Sequence, residues 1–176
     1  MRWSVNRLNC IVIAVYFIIP TVALAESFSG KVVKVSDGDT ISVMHRGRAQ
    51  KIRLHGIDTP EKRQAFGNRA KKFTSDLVFG RIVTVRVVDM DRYGRIVGEV
   101  ILPDGRSLNQ ELVRAGLAWW YRKYSRDKSL RELEEEARTA RRGLWTDPNP
   151  IPPWEFRKKR KLESSKTPYP TVRNKP

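Results

Sequence analysis

Alternating apolar and polar positions dominate the chain between Phe28 and Ile101. The runs FSGKVVKV, TISVM, QKIRLHGI, RIVTVRVV and RIVGEVIL are rich in β-branched residues and are separated by turn-forming segments such as SDGD and PDG. A period of two over four to eight residues is typical of strands that bury one face. The pattern therefore predicts five short β-strands.

The periodicity changes to helical spacing at three places. Apolar residues of Ala70–Val78 recur every three or four positions between the third and fourth strands, and Gly80 ends that run. After the last strand, Ser107 and Ser129 each precede a Gln or Glu by three residues, which predicts two more helices that begin with capping boxes. A five-stranded barrel with a helix between its third and fourth strands is the OB-fold pattern. We therefore predict an α+β fold, mainly β barrel: a five-stranded OB-fold barrel with three helices.

The first 25 residues differ from the rest in composition. Arg2 and Arg7 precede the apolar run IVIAVYFII, and the segment ends in Ala-Leu-Ala at 23–25. This order predicts a cleaved secretory signal peptide over 1–25 and a secreted or periplasmic protein. An uncleaved anchor is the alternative, but the run is shorter than the roughly 20 residues of a membrane-spanning helix. Cys10, the single cysteine, lies in this leader, so the remaining chain has no thiol for a disulfide, a metal site or a nucleophile.

Beyond Trp145 the composition shifts to Pro and Lys, in DPNPIPPWEFRKKRKLESSKTPYPTVRNKP. This shift predicts a single domain at 26–146 and a mobile, Pro/Lys-rich basic tail at 147–176. The whole chain has 35 Lys and Arg against 19 Asp and Glu, a net charge of +16. Such a charge favours a polyanionic partner, which could be nucleic acid, an anionic membrane surface or an acidic polysaccharide.

Two acidic corners interrupt this basic background. Asp37 and Asp39 flank the glycine of SDGDT, and Asp58, Thr59 and Glu61 belong to IRLHGIDTPEK at the end of the third strand. If the second and third strands pair, the four carboxylates form one cluster. Hard oxygen ligands without His or Cys favour Ca²⁺ or Mg²⁺ over zinc. The alternative is that both corners are ordinary turns, since Asp-Gly and Asp-Thr-Pro are common turn sequences.

Two arginines are placed to act beside this cluster. Arg53 lies on the strand that leads to the second corner, and Arg95, in DRYGR, begins the fifth strand. Phosphodiester cleavage builds negative charge on the phosphate oxygens, and planar guanidinium groups can bind those oxygens through two hydrogen bonds. A hairpin turn at DRYGR without further function is the alternative.

These motifs together resemble the micrococcal (staphylococcal) nuclease family. The chain contains SDGDT, IRLHGIDTPE, DRYGR, LVRAGLAWWYRKY and RRGLW in that order, between about Phe28 and Trp145. The resemblance implies an OB-fold barrel with three helices. It also implies a Ca²⁺-dependent phosphodiesterase, an endonuclease that acts on DNA and RNA.

The resemblance also assigns roles to individual residues. Asp39 and Asp58 match the metal-binding carboxylates, Thr59 matches the residue that offers a backbone carbonyl to the metal, and Asp37 matches an acid outside the metal's direct contacts. Glu61 matches the carboxylate that activates or orients the attacking water. Arg53 and Arg95 match the pair that binds the scissile phosphate. Four further residues match positions that contact the bound nucleic acid: Arg92, Tyr93, Arg122 and Tyr124.

Two departures from the family pattern matter for these roles. The segment after Glu61, KRQAFGNRAKK, is shorter than the long loop of the best-known member, so the positioning of Glu61 by such a loop is open. Arg122 stands where the family has a second nucleotide-contacting tyrosine; either Tyr121 substitutes for it or Arg122 contacts phosphate.

A second class of function competes with the enzyme. A basic OB-fold can bind nucleic acid without cutting it. The presence of Asp39, Asp58, Glu61, Arg53 and Arg95 together favours the nuclease. For either function we expect DNA and RNA as ligands, no stable protein partner, no membrane association after signal cleavage, and a monomer.

Overall fold

The computed structural model describes residues 26–166. The predicted signal peptide at 1–25 and the last part of the predicted tail, 167–176, lie outside the described residues. Within 26–166, no helix is both long and apolar enough to cross a membrane.

Five strands close into a barrel, as the alternating pattern predicts. The strands of the described chain are β1 (Ser27–Asp37), β2 (Thr40–His45), β3 (Arg48–Leu54), β4 (Ile57–Asp58), β5 (Ile82–Met90), β6 (Ile96–Ile101) and β7 (Trp119–Trp120). The barrel order is β1-β2-β3-β6-β5, and β5 pairs with β1 to close it. Only the β3–β6 pair in this barrel is parallel. This closed barrel confirms the predicted OB-fold class.

The barrel interior is filled by every second residue of its strands. Strand β5 lies between β1 and β6 in the barrel. Its Val83 and Val85 side chains are buried, whereas its Arg86 side chain faces solvent. On β3, Ile52 and Leu54 point inward, so that the side chain between them points outward. Each fully buried Val, Leu or Ile contributes about 1.5–3 kcal/mol through removal of apolar surface from water. The alternation thus decides which face of β3 is available for a site.

Within residues 26–166, four helices surround the barrel, one more than predicted for the chain. They are α1 (Gly67–Val78), α2 (Leu108–Arg114), α3 (Lys128–Thr139) and α4 (Pro153–Lys166), and a 3-10 turn covers Gly143–Thr146. Within the segment 147–176, predicted as a mobile basic tail, residues 153–166 form α4, and this helix carries its own packing residues. Pro153 is buried, and Trp154 packs against a cluster formed by Trp119, Ala137, Leu144 and Trp145.

The capping boxes predicted for α2 and α3 are absent. Ser107 occupies the N-cap position of α2, but its buried hydroxyl has no hydrogen-bond partner, and Gln110 donates to the Ser129 hydroxyl instead. Helix α3 is capped by Asp127, whose carboxylate accepts the Ser129 backbone N–H at 2.8 Å. An ionised carboxylate is a stronger acceptor than a hydroxyl and also interacts favourably with the helix dipole.

The short β4–β7 pair connects the barrel to the C-terminal helices. Its register pairs Ile57 with Trp120 and Asp58 with Trp119, and the Tyr121 N–H donates to the Gly56 carbonyl at 2.8 Å. Trp119 is buried, as expected for a residue that packs the barrel against the helices. The backbone of Asp58 is therefore held by β7, whose Trp119 side chain packs in the cluster with Ala137, Leu144 and Trp145.

Candidate active site

The turn between β1 and β2 packs directly against the corner that follows β4. A Cβ on Gly38 would lie 2.8 Å from Thr59 Oγ1 and 2.9 Å from Ala70 Cβ. The Thr74 hydroxyl donates to the Gly38 carbonyl at 2.6 Å. Gly38 is not among the described glycines with positive φ. Glycine is therefore required here by the close approach of its neighbours and not by the conformation of the turn.

Asp39 joins the two acidic corners that the sequence places far apart. Its nearly buried carboxylate accepts hydrogen bonds from the Thr59 backbone N–H at 2.8 Å, the Thr59 hydroxyl at 2.9 Å and the Thr40 hydroxyl at 3.1 Å. These bonds satisfy the Asp39 carboxylate in a setting from which water is largely excluded.

Arg53 lies between the two buried acids and binds both. Its Nη1 is 3.1 Å from Asp39 Oδ2, and its Nη2 donates to Asp58 Oδ1 at 2.8 Å. Nη1 also donates to the carbonyls of Leu54 and Ile57, at 3.1 and 3.0 Å. The outward face of β3 thus carries a guanidinium group whose position is determined by the backbone on one side and by two carboxylates on the other.

The carboxylates of this cluster lie close enough together to disfavour one another's ionisation. Burial raises the pKa of Asp58, and the neighbouring Asp39 raises it further, whereas the Arg157 hydrogen bonds and the Arg53 charge oppose the rise. Burial and the Asp39 charge likewise raise the pKa of Asp37. Closely spaced carboxylates that resist ionisation are typical of sites that receive a cation or act in catalysis.

Arg157, which the sequence reading did not assign, belongs to this cluster. Its Nη2 donates to Asp58 Oδ2 at 2.7 Å, and its Nη1 donates to Glu61 Oε1 at 2.8 Å and lies 3.3 Å from Asp58 Oδ1. Burial disfavours its charge, but the hydrogen bonds that it donates to both carboxylates prevail and raise the Arg157 pKa. The available signal was IPPWEFR: two prolines followed by two aromatic residues are unusual in a solvated tail.

Glu61 lies on a compact turn and not on a long loop. The Gln64 N–H donates to the Glu61 carbonyl at 2.8 Å, and the Glu61 N–H donates to Gln64 Oε1 at 3.2 Å. A Cβ on Gly67 would come within 2.0 Å of the Glu61 carbonyl oxygen, so the turn packs tightly on the start of α1. The Gln64 amide also donates to the Ile151 carbonyl, which connects this turn to the segment before α4.

Within the DRYGR turn, the Arg95 side chain is paired with Asp91. Arg95 Nε donates to Asp91 Oδ2 at 2.7 Å, and the Arg95 and Tyr93 N–H groups donate to Asp91 Oδ1. In the β3–β6 register, Arg53 pairs with Val97, two residues beyond Arg95. Arg95 therefore lies in the turn that directly precedes β6, the strand that pairs with β3.

The other predicted nucleic-acid contacts differ in their surroundings. Tyr93 and Tyr124 are 69% and 59% exposed. Arg92 donates to the Tyr93 hydroxyl at 2.8 Å, and its guanidinium lies 4.9 Å from the centroid of the Tyr93 ring. Arg122 is exposed and lies 3.4 Å from the buried Glu134. Tyr121 is stacked on Trp154, with ring centroids 5.1 Å apart and planes 5° apart, so one of its faces is covered.

The oxygen donors of the cluster are of the types that hard divalent cations bind. Asp39 and Asp58 supply nearly buried carboxylates, and Thr59, next to both, supplies a backbone carbonyl. Ca²⁺ and Mg²⁺ bind oxygen donors of these types. Among residues 26–166, no group of three or more His, Cys, Asp or Glu side chains is already arranged around a metal position. Arg53 and Arg157 occupy the carboxylate oxygens instead.

The fold and the cluster together define an OB-fold protein with an acid–arginine site suited to a phosphodiester. Residues 51–147, more than half of the 176-residue chain, match the family model described as staphylococcal nuclease homologue. The chain belongs to the staphylococcal nuclease family. This confirms the resemblance seen in the sequence motifs and the prediction of a hydrolase of the nuclease class.

Several curated proteins are similar to this chain over most of its length. A protein of Escherichia coli named "Uncharacterized endonuclease" is 48% identical over 143 residues, which are 81% of this chain and 94% of that protein. A "Micrococcal nuclease" of Shigella flexneri is 40% identical over 168 residues, 90% of this chain and 96% of that protein. "Protein ParB" of Escherichia coli is 44% identical over 139 residues, 73% of this chain and 78% of that protein.

Proposed function

We propose that the protein is a Ca²⁺-dependent endonuclease that hydrolyses phosphodiester bonds of DNA and RNA. The observation that carries this proposal is that Arg53 bridges Asp39 and Asp58, two nearly buried carboxylates that come from different corners of the barrel. Membership of the staphylococcal nuclease family supports the reaction class. The oxygen-only donor set supports a hard cation.

The cation site would be made by Asp39, Asp58 and the carbonyl of Thr59. A bound divalent cation supplies Lewis-acid stabilisation of charge on the phosphoryl oxygens. Asp37 lies beside this set, with its carboxylate accepting the Gly38 N–H at 3.1 Å, and adds negative charge without needing to contact the cation.

The remaining residues act on the water and the phosphate. Glu61 takes or orients the proton of the attacking water through a carboxylate oxygen. Arg53 stabilises negative charge that develops on the phosphate oxygens in the transition state, and Arg95 does the same from the turn before β6. Loss of such an electrostatic donor costs about 3–4 kcal/mol of transition-state stabilisation in comparable sites.

Nucleic acid is bound by its backbone charge and by stacking. The net charge of +16 favours polyanion binding in general. Arg92 and Arg122 provide exposed cations, and Tyr93 and Tyr124 provide exposed rings on which bases of either sugar type can stack. Contacts of these kinds do not require a 2′-hydroxyl, which supports activity on both DNA and RNA.

The test uses the chain from Glu26 to Pro176 with plasmid DNA and with single-stranded RNA, each with Ca²⁺ or with EGTA. We expect degradation of both substrates with Ca²⁺ and none with EGTA. Glu61→Gln should reduce the rate by at least about a hundredfold, since general bases contribute 10²–10⁴-fold. Retained binding without Ca²⁺-stimulated cleavage would instead identify a nucleic-acid-binding module.

We further propose that the protein is exported and that it is a monomer. The n-, h- and c-region order of residues 1–25 supports export to the periplasm or medium. We expect the exported protein to begin at Glu26 by N-terminal sequencing, and a monomer by light scattering. An intact Met1 in the membrane fraction would contradict export by cleavage.

A further inference from the structure

The carboxylate of Glu61 depends on α4 for its position. Among the described residues it has one hydrogen-bond partner, Nη1 of Arg157 at 2.8 Å. The backbone of Glu61 is held by the turn to Gln64, but three rotatable bonds separate that backbone from the reactive oxygens. A partner at the end of the side chain is therefore needed to select one rotamer.

Arg157 is suited to this task because it also binds Asp58, a buried residue whose backbone is paired in a strand. Its second nitrogen donates to Asp58 Oδ2 at 2.7 Å, and Asp58 is buried and paired through its backbone with Trp119. A guanidinium group is planar, and its nitrogens form a rigid fork. The distance between the Asp58 and Glu61 carboxylates is thus determined by one rigid group, whose positive charge also offsets their repulsion.

The helix that carries Arg157 is attached to the same elements. Trp154, one helical turn earlier on α4, stacks on Tyr121 at 5.1 Å between ring centroids and packs edge-on against Trp119 at 5.7 Å. The Gln64 amide donates to the Ile151 carbonyl just before the helix. The segment before Arg157 is therefore bound at two points: Ile151 contacts the Glu61 turn, and Trp154 contacts β7.

We propose that Arg157 is a positioning residue of the active site, which acts through Glu61, and that α4 completes a site begun by the nuclease domain. The helix lies outside residues 51–147, the segment that matches the family model. The proposal rests on the proposed nuclease function, because Glu61 needs a defined position only if it acts on water.

The test compares kcat and KM for a DNA oligonucleotide at saturating Ca²⁺. We expect Arg157→Gln to lower kcat by about ten- to a hundredfold, with a smaller change in KM, because misplacement of a reacting group by about 1 Å has effects of this size. Arg157→Lys should recover part of the loss, since an ammonium group keeps the charge but lacks the fork. Lys158→Gln, with the same change in charge at an exposed neighbour, should stay within about twofold of wild type.

A double-mutant cycle separates positioning from a purely structural role. If Arg157 acts through Glu61, Arg157→Gln should lower kcat much less in a Glu61→Gln background than in wild type. Equal losses in both backgrounds would overturn the proposal. Circular dichroism and thermal denaturation of each variant, without metal, establish that the barrel is folded.

Calcium titration calorimetry supplies a readout independent of turnover. We expect the Ca²⁺ Kd of Arg157→Gln to stay within about threefold of wild type, because the proposal concerns Glu61 and not the cation ligands. A Kd at least tenfold tighter, with kcat unchanged, would mean that Arg157 competes with the cation and would overturn positioning. Absence of activity in wild type itself would instead refute the proposed function, and this inference with it.

Discussion

Asp39 accepts hydrogen bonds from both the backbone N–H and the hydroxyl of Thr59, at 2.8 and 2.9 Å. This pair closes the turn between β1 and β2 onto the corner after β4. The two acidic corners are therefore held together by hydrogen bonds of the folded chain itself.

Thr59→Val should lower the free energy of unfolding by about 1.5–3 kcal/mol. Valine has nearly the same shape, so the variant removes one hydrogen bond to a charged, buried acceptor while the backbone N–H bond to Asp39 remains. Urea denaturation without metal measures the change. Thr84→Val is the control, because the Thr84 hydroxyl bonds Ser29 at an exposed position and should cost less than about 1 kcal/mol.

Gly38→Ala should be destabilised by steric conflict. A Cβ at this position meets Thr59 Oγ1 and Ala70 Cβ at less than 3 Å, and both atoms belong to packed elements. Overpacking of this kind costs about 1–3 kcal/mol. Because the displaced turn carries Asp37 and Asp39, Ca²⁺ affinity should fall as well. Calorimetry and urea denaturation measure the two effects.

Gly80→Ala provides the contrast to that variant. Gly80 has φ +75° with open space around its Cβ position, so alanine there meets backbone strain of about 1–2 kcal/mol but no neighbour. Its Ca²⁺ affinity should equal that of wild type. Equal losses of Ca²⁺ affinity in both variants would contradict the link between Gly38 packing and the acidic site.

Local patterns were sufficient to predict the barrel. The alternation on β3 and β5 identifies the buried residues directly, and the spacing of Ala70–Val78 identifies α1. The acidic corners could be recognised because turn sequences and paired carboxylates are local features. Their assembly through Arg53 follows from the β2–β3 pairing, in which Thr40 lies opposite Arg53.

Long-range contacts could not be predicted in the same way. The hydrogen bonds of Arg157 to Asp58 span 99 residues, and nothing in the charge pattern RKKRK distinguishes its first residue from the other four. The interaction depends on the stacking of Trp154 on Tyr121, which is a tertiary contact. The same holds for Arg122, whose buried partner Glu134 lies on a helix twelve residues away.

Ca²⁺ should stabilise the folded protein through Asp39. Binding to the folded state alone adds about 2.7 kcal/mol when the free ion is at a hundred times its Kd. Asp39→Asn removes one anionic ligand and should abolish most of this increment, whereas Asp104→Asn, at an exposed turn far from the acidic corners in sequence, should retain it. Thermal denaturation with Ca²⁺ and with EGTA measures the increment. An unchanged increment in Asp39→Asn would exclude Asp39 as a ligand.

The Asp91 carboxylate should contribute stability above about pH 4 and lose it in acid. Partial burial alone would raise its pKa, but the Arg95 and Tyr93 N–H groups and the Arg95 side chain outweigh burial and lower the pKa. A lowered pKa in the folded state means that the unfolded state binds more protons, so stability falls as the pH drops from the unfolded value, about 3.9, through the folded value.

Asp91→Asn should therefore reduce stability at pH 7 by about 0.5–1 kcal/mol, and less at pH 3. Denaturation by urea at the two pH values measures this difference. Asp89→Asn is the matched control on the same strand end, because its carboxylate bonds only to the Met90 N–H among the described contacts. A loss for Asp91→Asn that is equal at both pH values would contradict the assignment.

Glu134 is a buried acidic residue of α3 that binds the backbone of β7. Its replacement measures how far the packing of the C-terminal helices depends on this one side chain. Its side chain is almost fully buried, and its Oε1 accepts the backbone N–H of Trp120 at 3.1 Å. The Nη2 atoms of Arg122 and Arg138 each lie 3.4 Å from Glu134 Oε2. Glu134→Ala leaves the Trp120 donor without a partner and creates a cavity, so we expect a loss of about 2–4 kcal/mol in urea denaturation. Glu134→Gln keeps an acceptor for Trp120 and should lose less than half as much.

Because β7 also pairs with Asp58, the Ala variant should have weaker Ca²⁺ binding than the Gln variant. Equal stabilities of the two variants would mean that the N–H of Trp120 does not depend on Glu134.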